Sequence, residues 1–445
     1  MQDIYQKNSD KTNSDRTDAP RRSDFYHTQN PHASIKRRID ILRQGIKKNN
    51  LDAVIIFSDE NRRYLSGFTG EDGNYDESAG FLVITPKDLI LATDSRYKLQ
   101  ALSEARLYSV FCYEKGIASE LPGILKSSES RKEGNNTVKD VNSVPKKDIN
   151  GTGKKDINGT AYPAKQSDRR SDRYKIALET SRLTFDLYSK IKKTIDDKCP
   201  EIDLVPADET LKNLRITKDT KEIEAIKASL EIAENAFVKL KSQIHPGMTE
   251  KEAAWLLEKL IRENGGDGLS FPVIAASGPN SALPHAIPEQ RRFKKNEPLL
   301  FDFGAKLNGY CSDISRTLVA GEPDERFKEA YETLFDAQKK AVEAIRPGIK
   351  CSDIDRIARE HIDNSKFNGK FNHALGHGVG IAIHEPPRLS RLDDTLLEVG
   401  MVVTVEPGIY IPEWGGIRLE NMIRVTENGA EVLNSLGYDD YILSF

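Results

Sequence analysis

Hydrophobic positions give the first outline of the chain. Ile35, Ile39, Leu42 and Ile46 in SIKRRIDILRQGIKKNN fall at helical spacing, so a helix is expected from about Ala33. DAVIIFS reads as a buried strand, NRRYLSGFTG as a turn carrying an aromatic, and GFLVITPKDLILATDSRY as a hairpin turning at Pro86-Lys87-Asp88. YKIALET adds a strand and RLTFDLYSKIKKTI a helix, which together predict a small α/β domain. After Glu209 one long helical run, TLKNLRITKDTKEIEAIKASLEIAENAFVKLKSQI, is stopped by His245-Pro246-Gly247. Thr249-Glu250 opens the next, KEAAWLLEKLIREN, in which Trp255, Leu256 and Leu260 are expected in the core. Strand and turn signals dominate from Gly268 onward, interrupted by helices around 325–346 and 352–364. This second half predicts an α+β domain with a substantial antiparallel sheet.

Two stretches break the pattern. Residues 1–31 are polar throughout and are expected to be a disordered tail. Between 127 and 173 the chain turns to Lys, Asp, Asn, Ser and Gly, and KKDINGT occurs twice, at Lys146–Thr152 and Lys154–Thr160. Loop-closure entropy grows only logarithmically with length, so this reads as a mobile insertion with an internal duplication rather than a binding motif. The expected domains are then 32–208, interrupted by the insertion, and 209–445. A length of 445 residues is too great for one ordinary core, and an apolar fraction of 38% agrees with segments that stay unfolded.

Charge narrows the function. Sixty-six basic and 69 acidic residues leave a net charge of −3, which calls for neither nucleic acid nor a membrane surface. No apolar run is long enough to span a bilayer, and the N-terminus lacks a secretory h-region. Cys112, Cys199, Cys311 and Cys351 lie far apart with no CxxC pair, as expected of reduced thiols in a cytoplasmic protein.

HALGHGVGIAIHEPP holds three of the eight histidines. Read as a strand, it puts His373 and His377 on one face, lets its glycines bring backbone close to a substrate, and needs a bend near Gly378–Gly380 for His384 to join them. Four acids lie in apolar settings: Asp302 in LLFDFGA, Asp313 in YCSDISRTL, Glu406 in VVTVEPGIY and Glu420 in GIRLENMIRV. Four carboxylates gathered in a pocket cannot all ionise, because each raises the others' pKa. Two divalent cations would cancel the charge, and hard oxygen ligands with one imidazole suit manganese, cobalt or zinc rather than copper or an iron–sulfur cluster. The residues alone leave a second reading open, in which these acids pair with Lys or Arg at strand ends.

LFDFGA, DISRT, HALGHGVGIAIHE, TVEPGIY and RLEN, in this order and spacing, resemble the pita-bread metallopeptidases, and most the Xaa-Pro aminopeptidase and prolidase branch. The likeness runs from Leu211 to Leu436. DAVIIFS, NRRYLSGFTG and ATDSRY resemble the creatinase-like N-terminal domain of that branch. The resemblance implies a C-terminal pita-bread fold preceded by a smaller creatinase-like α/β domain. It also implies two divalent metal ions, manganese first and cobalt or zinc as alternatives. Asp302 would hold one ion, His377 and Glu406 the other, with Asp313 and Glu420 bridging. His285, His373, His384 and Arg418 match positions that surround the metals and meet substrate. The chain departs from the family at Asn421, where Asp is usual after the glutamate, and at Ala374, where Gly or Ser is usual.

Carried further, the resemblance gives His384 an oxyanion to stabilise, Glu406 a proton to shuttle, and His285 and His373 the leaving proline ring. The substrate would be a peptide with proline in second position. An Xaa-Pro aminopeptidase is the first expectation and a prolidase the alternative, with a metal-free binding module behind both. Arg388 or Arg391 could grip the C-terminal carboxylate of a dipeptide if turned inward. Trp414 is a candidate for touching substrate, and Cys311 a small buried residue. A homodimer is implied, with Tyr64 and Phe68 walling the neighbour's site.

Overall fold

The computed structural model describes residues 31–72, 77–127 and 173–443. The expected tail 1–31 and insertion 127–173 lie outside the described residues, apart from Pro31, Ser127 and Arg173 at their edges. The described chain divides into two compact units, the second beginning at Arg215.

In the first unit, helix α1 (Pro31–Lys48) buries Ile39, Leu42 and Ile46, the face that its spacing predicts. Six strands form one mixed sheet among the described residues: β1 (Ala53–Ile56), β2 (Phe81–Ile84), β3 (Leu89–Thr93), β4 (Ser109–Cys112), β5 (Tyr174–Leu178) and β6 (Ile202–Pro206). Their order is β4-β3-β2-β1-β5-β6, with β1 parallel to β5 and the hairpin β2–β3 closing at Thr85–Asp88.

The expected turn in NRRYLSGFTG is instead a helix, α2 (Asp59–Ser66). Ser58 caps it by accepting from the Asn61 amide, and Gly67 ends it at φ 79°. Its polar residues hid it, because a buried arginine breaks the apolar pattern. Arg62 is fully buried and donates to the carbonyls of Phe57, Gly70 and Gly80 and to Asp59 and Asp72. Tyr64 and Phe68 are likewise buried within this unit, under Arg38 and against Tyr97. Neither can wall another chain's site, which corrects that expectation.

In the second unit the long helical run is shorter than expected. Helix α3 (Thr220–Lys241) starts where Asp219 and Glu222 cap each other's backbone amides. The preceding residues run extended, with Thr217 bridged to Met401 and the Lys218 amide donating to the Gly400 carbonyl. Helix α4 (Glu250–Glu263) buries Ala253, Leu257, Leu260 and Ile261. Trp255 faces the other way and is 66% exposed, so its expected place in the core is wrong. Apolar spacing alone had not distinguished the two sides of this helix.

The strands of this unit are β7 (Gly268–Leu269), β8 (Ile274–Ser277), β9 (Pro298–Phe303), β10 (Ala305–Leu307), β11 (Tyr310–Cys311), β12 (Ile314–Ala320), β13 (Gly376–Gly378), β14 (Glu385–Leu389), β15 (Val402–Val405), β16 (Gly408–Ile411), β17 (Gly415–Arg418), β18 (Asn421–Thr426), β19 (Gly429–Val432) and β20 (Ile442–Leu443). Two sheets matter most for the site. One runs β20-β12-β9-β8, antiparallel except at β12–β20; the other runs β14-β13-β15-β18-β19 and is antiparallel throughout. Helices α3 and α4 pack on the first through Ile226, Leu230, Phe237 and Leu257. Helices α5 (Glu325–Ala344) and α6 (Cys351–Asp363) cover the second through Leu334, Ala341, Ile354 and Ala358. Each sheet thus has one helix-covered face, and both send acids to the same place.

Candidate metal centre

Asp302 lies within β9, Glu406 directly after β15, and His377 in the middle of β13. Asp313 and Glu420 sit at junctions, just before β12 and β18. The crossing of the two sheets brings all five together. Asp302, Asp313 and Glu420 offer oxygens within 4.8 Å of one another, and His377 Nε2 lies 3.4 Å from both Asp313 Oδ2 and Glu406 Oε1.

The hydrogen bonds leave one side of this cluster unfilled. Asp302 Oδ2 accepts from Arg418 Nη2 at 2.6 Å and Glu420 Oε2 from Ser315 Oγ at 2.8 Å, while the buried atoms Asp302 Oδ1 and Glu420 Oε1 have no partner. His377 Nδ1 contacts the Gly378 carbonyl, which can only accept, so Nδ1 carries the hydrogen and Nε2 turns a lone pair toward the carboxylates. Burial pushes the His377 imidazole down to about 4, with His384 adding to it, so it is neutral near pH 7. Burial and then Glu420, Asp302 and Glu406 hold the Asp313 carboxyl well above its usual range. Glu420 is raised in the same way by burial, Glu406 and Asp302. Burial also lifts Glu406 to about 8, against the pull of Arg418. Such a cluster must gain positive charge, as protons or as metal ions. Four carboxylates and a neutral imidazole lone pair are a donor set that fits hard or borderline divalent ions.

The surrounding residues are fixed by one polar network. Arg418, at the end of β17, is buried; besides Asp302 it donates to Ser315 Oγ, the Tyr410 hydroxyl (2.8 Å) and the Pro284 carbonyl (3.1 Å). Despite its burial, Tyr410, Asp302 and Glu406 hold its guanidinium well above the usual range. Through Pro284 it steadies the loop bearing His285, which is exposed. His373 Nδ1 contacts the Ala374 carbonyl and Nε2 takes the Tyr410 hydroxyl at 2.9 Å. Burial, and then Arg418, push this ring down to about 3.

The histidine segment departs from its strand reading. From His373 to His384 strand is confined to Gly376–Gly378, with a bulge between His377 and Gly378. His373 and His377 therefore do not pair on one face. His373 turns to Tyr410 and packs its ring against Phe371, with both nitrogens engaged. The ring that meets His377 is His384, at 4.3 Å between centroids and 73°. The glycines serve the chain's own packing: a Cβ on Gly376 would overlap the Thr404 carbonyl at 1.9 Å, and one on Gly378 would meet the Pro386 carbonyl at 2.4 Å.

Several contributors escaped the sequence reading. Thr404 Oγ1 accepts from the His377 amide and donates to Glu406, which couples two of the five residues. Gln338 of α5 is fully buried and donates to the carbonyls of Val405 and Leu419, the residues just before Glu406 and Glu420. Arg359 of α6 holds the Phe371 and His373 carbonyls. Gln338 and Arg359 carried a signal, as polar residues on the buried faces of their helices.

Residues 224–427 match the model of metallopeptidase family M24, and residues 38–217 that of the creatinase/prolidase N-terminal domain. The chain belongs to metallopeptidase family M24, with a creatinase-type N-terminal domain before a pita-bread domain. Over 226 residues it is 46% identical to an Xaa-Pro dipeptidase of Pyrococcus furiosus, covering 51% of this chain and 65% of that protein. Among solved structures, an Xaa-Pro dipeptidase from Bacillus anthracis has a TM-score of 0.76 at 32% identity, covering 92% of this chain and 100% of that one. An X-Pro aminopeptidase from Thermotoga maritima has a TM-score of 0.71 at 31% identity, covering 90% and 100%. Among the described residues no helix is long and apolar enough to cross a membrane.

Proposed function

We propose that this metallopeptidase is an Xaa-Pro dipeptidase, which reverses the order of preference drawn from the sequence. Dipeptidases among the relatives support the reading, and one observation carries it: Arg388. It pairs across β13–β14 with His377, is exposed, and makes no ion pair among the described residues. Its charge helps to depress both His377 and His384. An unpaired guanidinium beside the site suits the free C-terminal carboxylate of a dipeptide, which a longer peptide cannot offer there.

In this reading Asp302 would hold one divalent ion, His377 and Glu406 the second, and Asp313 and Glu420 both, with manganese the first candidate. Bound there, the ions would supply a water acidified toward neutral pH and a polarised scissile carbonyl. Glu406 would take a proton and pass it to the leaving proline nitrogen, which has no hydrogen of its own. His384 would donate to the oxygen as negative charge develops on it. Arg418 would keep Asp302 and Tyr410 in place. His373, with both nitrogens occupied, would support Tyr410 rather than make a polar contact with substrate. His285 would stand at the rim beside the proline ring.

Arg388→Ala is expected to raise KM for an Xaa-Pro dipeptide about 10- to 100-fold, the worth of one charge-assisted hydrogen bond. Turnover of Xaa-Pro-Yaa peptides should stay within about threefold of the parent. Steady-state kinetics on matched Xaa-Pro and Xaa-Pro-Yaa-Zaa substrates tests the assignment. Faster turnover of the longer peptide by the parent enzyme would make it an aminopeptidase.

A further inference from the structure

Glu385 opens β14 directly after His384 and, like Lys218, its side chain is only 1% exposed. Its carboxylate accepts from Lys218 Nζ at 3.1 Å, from Arg215 Nε at 3.0 Å and from the Ala382 amide at 3.0 Å. Burying a carboxylate and an ammonium together stabilises a fold little more than apolar residues of the same size would. The position of this cluster suggests a different use. Residues 379–384, between β13 and β14, form no strand. Their turn is closed by the Gly380 amide donating to the Ala382 carbonyl and by the Cys311 amide donating to the Gly380 carbonyl. A Cβ on Gly380 would lie 2.6 Å from the Glu385 carboxylate, so glycine there lets the charge sit against the turn. Lys218 is itself fixed through its backbone to Gly400, two residues before β15. The carboxylate therefore ties the His384 turn, through Lys218, to the backbone just before β15.

We infer that Glu385, clamped by Lys218 and Arg215, is a positioning residue that fixes His384 over His377 and the metal centre. The inference rests on the peptidase reading for what His384 does there. In metal-loaded enzyme acting on an Xaa-Pro dipeptide, Glu385→Gln lowers kcat about 10- to 30-fold, in the range that a small displacement of a reacting group produces, while KM changes less than about threefold. Bound metal, counted by mass spectrometry, stays at the parent value. Gly380→Ala, which keeps every charge but pushes on the carboxylate, lowers kcat in the same way and serves if Glu385→Gln does not fold.

A double-mutant cycle with His384→Ala decides the matter. Once His384 is gone, Glu385→Gln or Gly380→Ala costs less than about twofold in kcat. If their losses instead multiply with that of His384→Ala, or if they strip the metal, the positioning role is overturned while the peptidase reading stands. If His384→Ala alone leaves kcat unchanged on Xaa-Pro substrates, the reading of His384 fails first and the inference with it.

Discussion

Glu420→Gln is expected to abolish most activity and yet make the metal-free protein more stable. Glu420 is buried, its Oε1 has no partner, and its carboxyl is raised by burial and by Glu406 and Asp302. As a proposed bridge between two ions it should matter more than an outer hydrogen-bond partner, whose loss costs roughly 10- to 100-fold. A fall in kcat/KM on the order of a thousandfold follows. Without metal the same side chain adds to the repulsion, and the amide still accepts from Ser315 at Oε1 while removing a potential charge. The chelated variant should melt a few degrees above the chelated parent, since ~1 kcal/mol moves Tm by roughly 2–4 °C at this domain size. Kinetics and thermal melts in chelator check both halves. A structural glutamate would show the reverse, with activity kept and stability lost.

The second large effect is a stability that falls as pH rises in the metal-free protein. Glu406 ionises near 4.5 when unfolded and at about 8 when folded. Between those values the folded state holds a proton that the unfolded state has released, so each step upward in pH favours unfolding. The contribution is fully present below about pH 4.5 and gone above about 8. Asp313 and Glu420, raised in the same direction, add to it. Metal ions reverse the trend, because they bind the deprotonated ligands and bind better as pH rises. Melts from pH 5 to pH 8 should show the chelated protein losing stability and the manganese-loaded protein holding or gaining it. A chelated protein as stable at pH 8 as at pH 5 would mean that burial and the neighbouring carboxylates do not hold these protons on the folded state.

The sequence was most informative where chemistry clashed with pattern. Asp302 between Phe301 and Phe303, and Glu406 after Val402–Val405, stand out because an acid in an apolar strand needs a reason. Four such acids, with the histidine-rich segment, marked side chains that the structure brings together. The supporting residues were silent for a physical reason: Ser315, Thr404 and Tyr410 are ordinary strand residues until the fold gives their hydroxyls partners in Glu420, Glu406 and Arg418. The histidine segment misled because glycines leave a chain without periodicity, so its short strand, bulge and turn are set by Thr404 and Glu385. Trp255 and the turn expected in NRRYLSGFTG failed through composition, one an apolar residue facing solvent and the other a helix built around a buried arginine.

The central claim, that five side chains gather a pair of cations, is tested most directly by counting metal. Purified protein stripped with chelator, reloaded with manganese, cobalt or zinc and freed of excess should carry two ions per chain by mass spectrometry. Hydrolysis of an Xaa-Pro peptide should return with them, and Glu420→Gln should hold one ion or none. A parent protein that binds no ion at any of these metals, with all five side chains intact, would contradict the account.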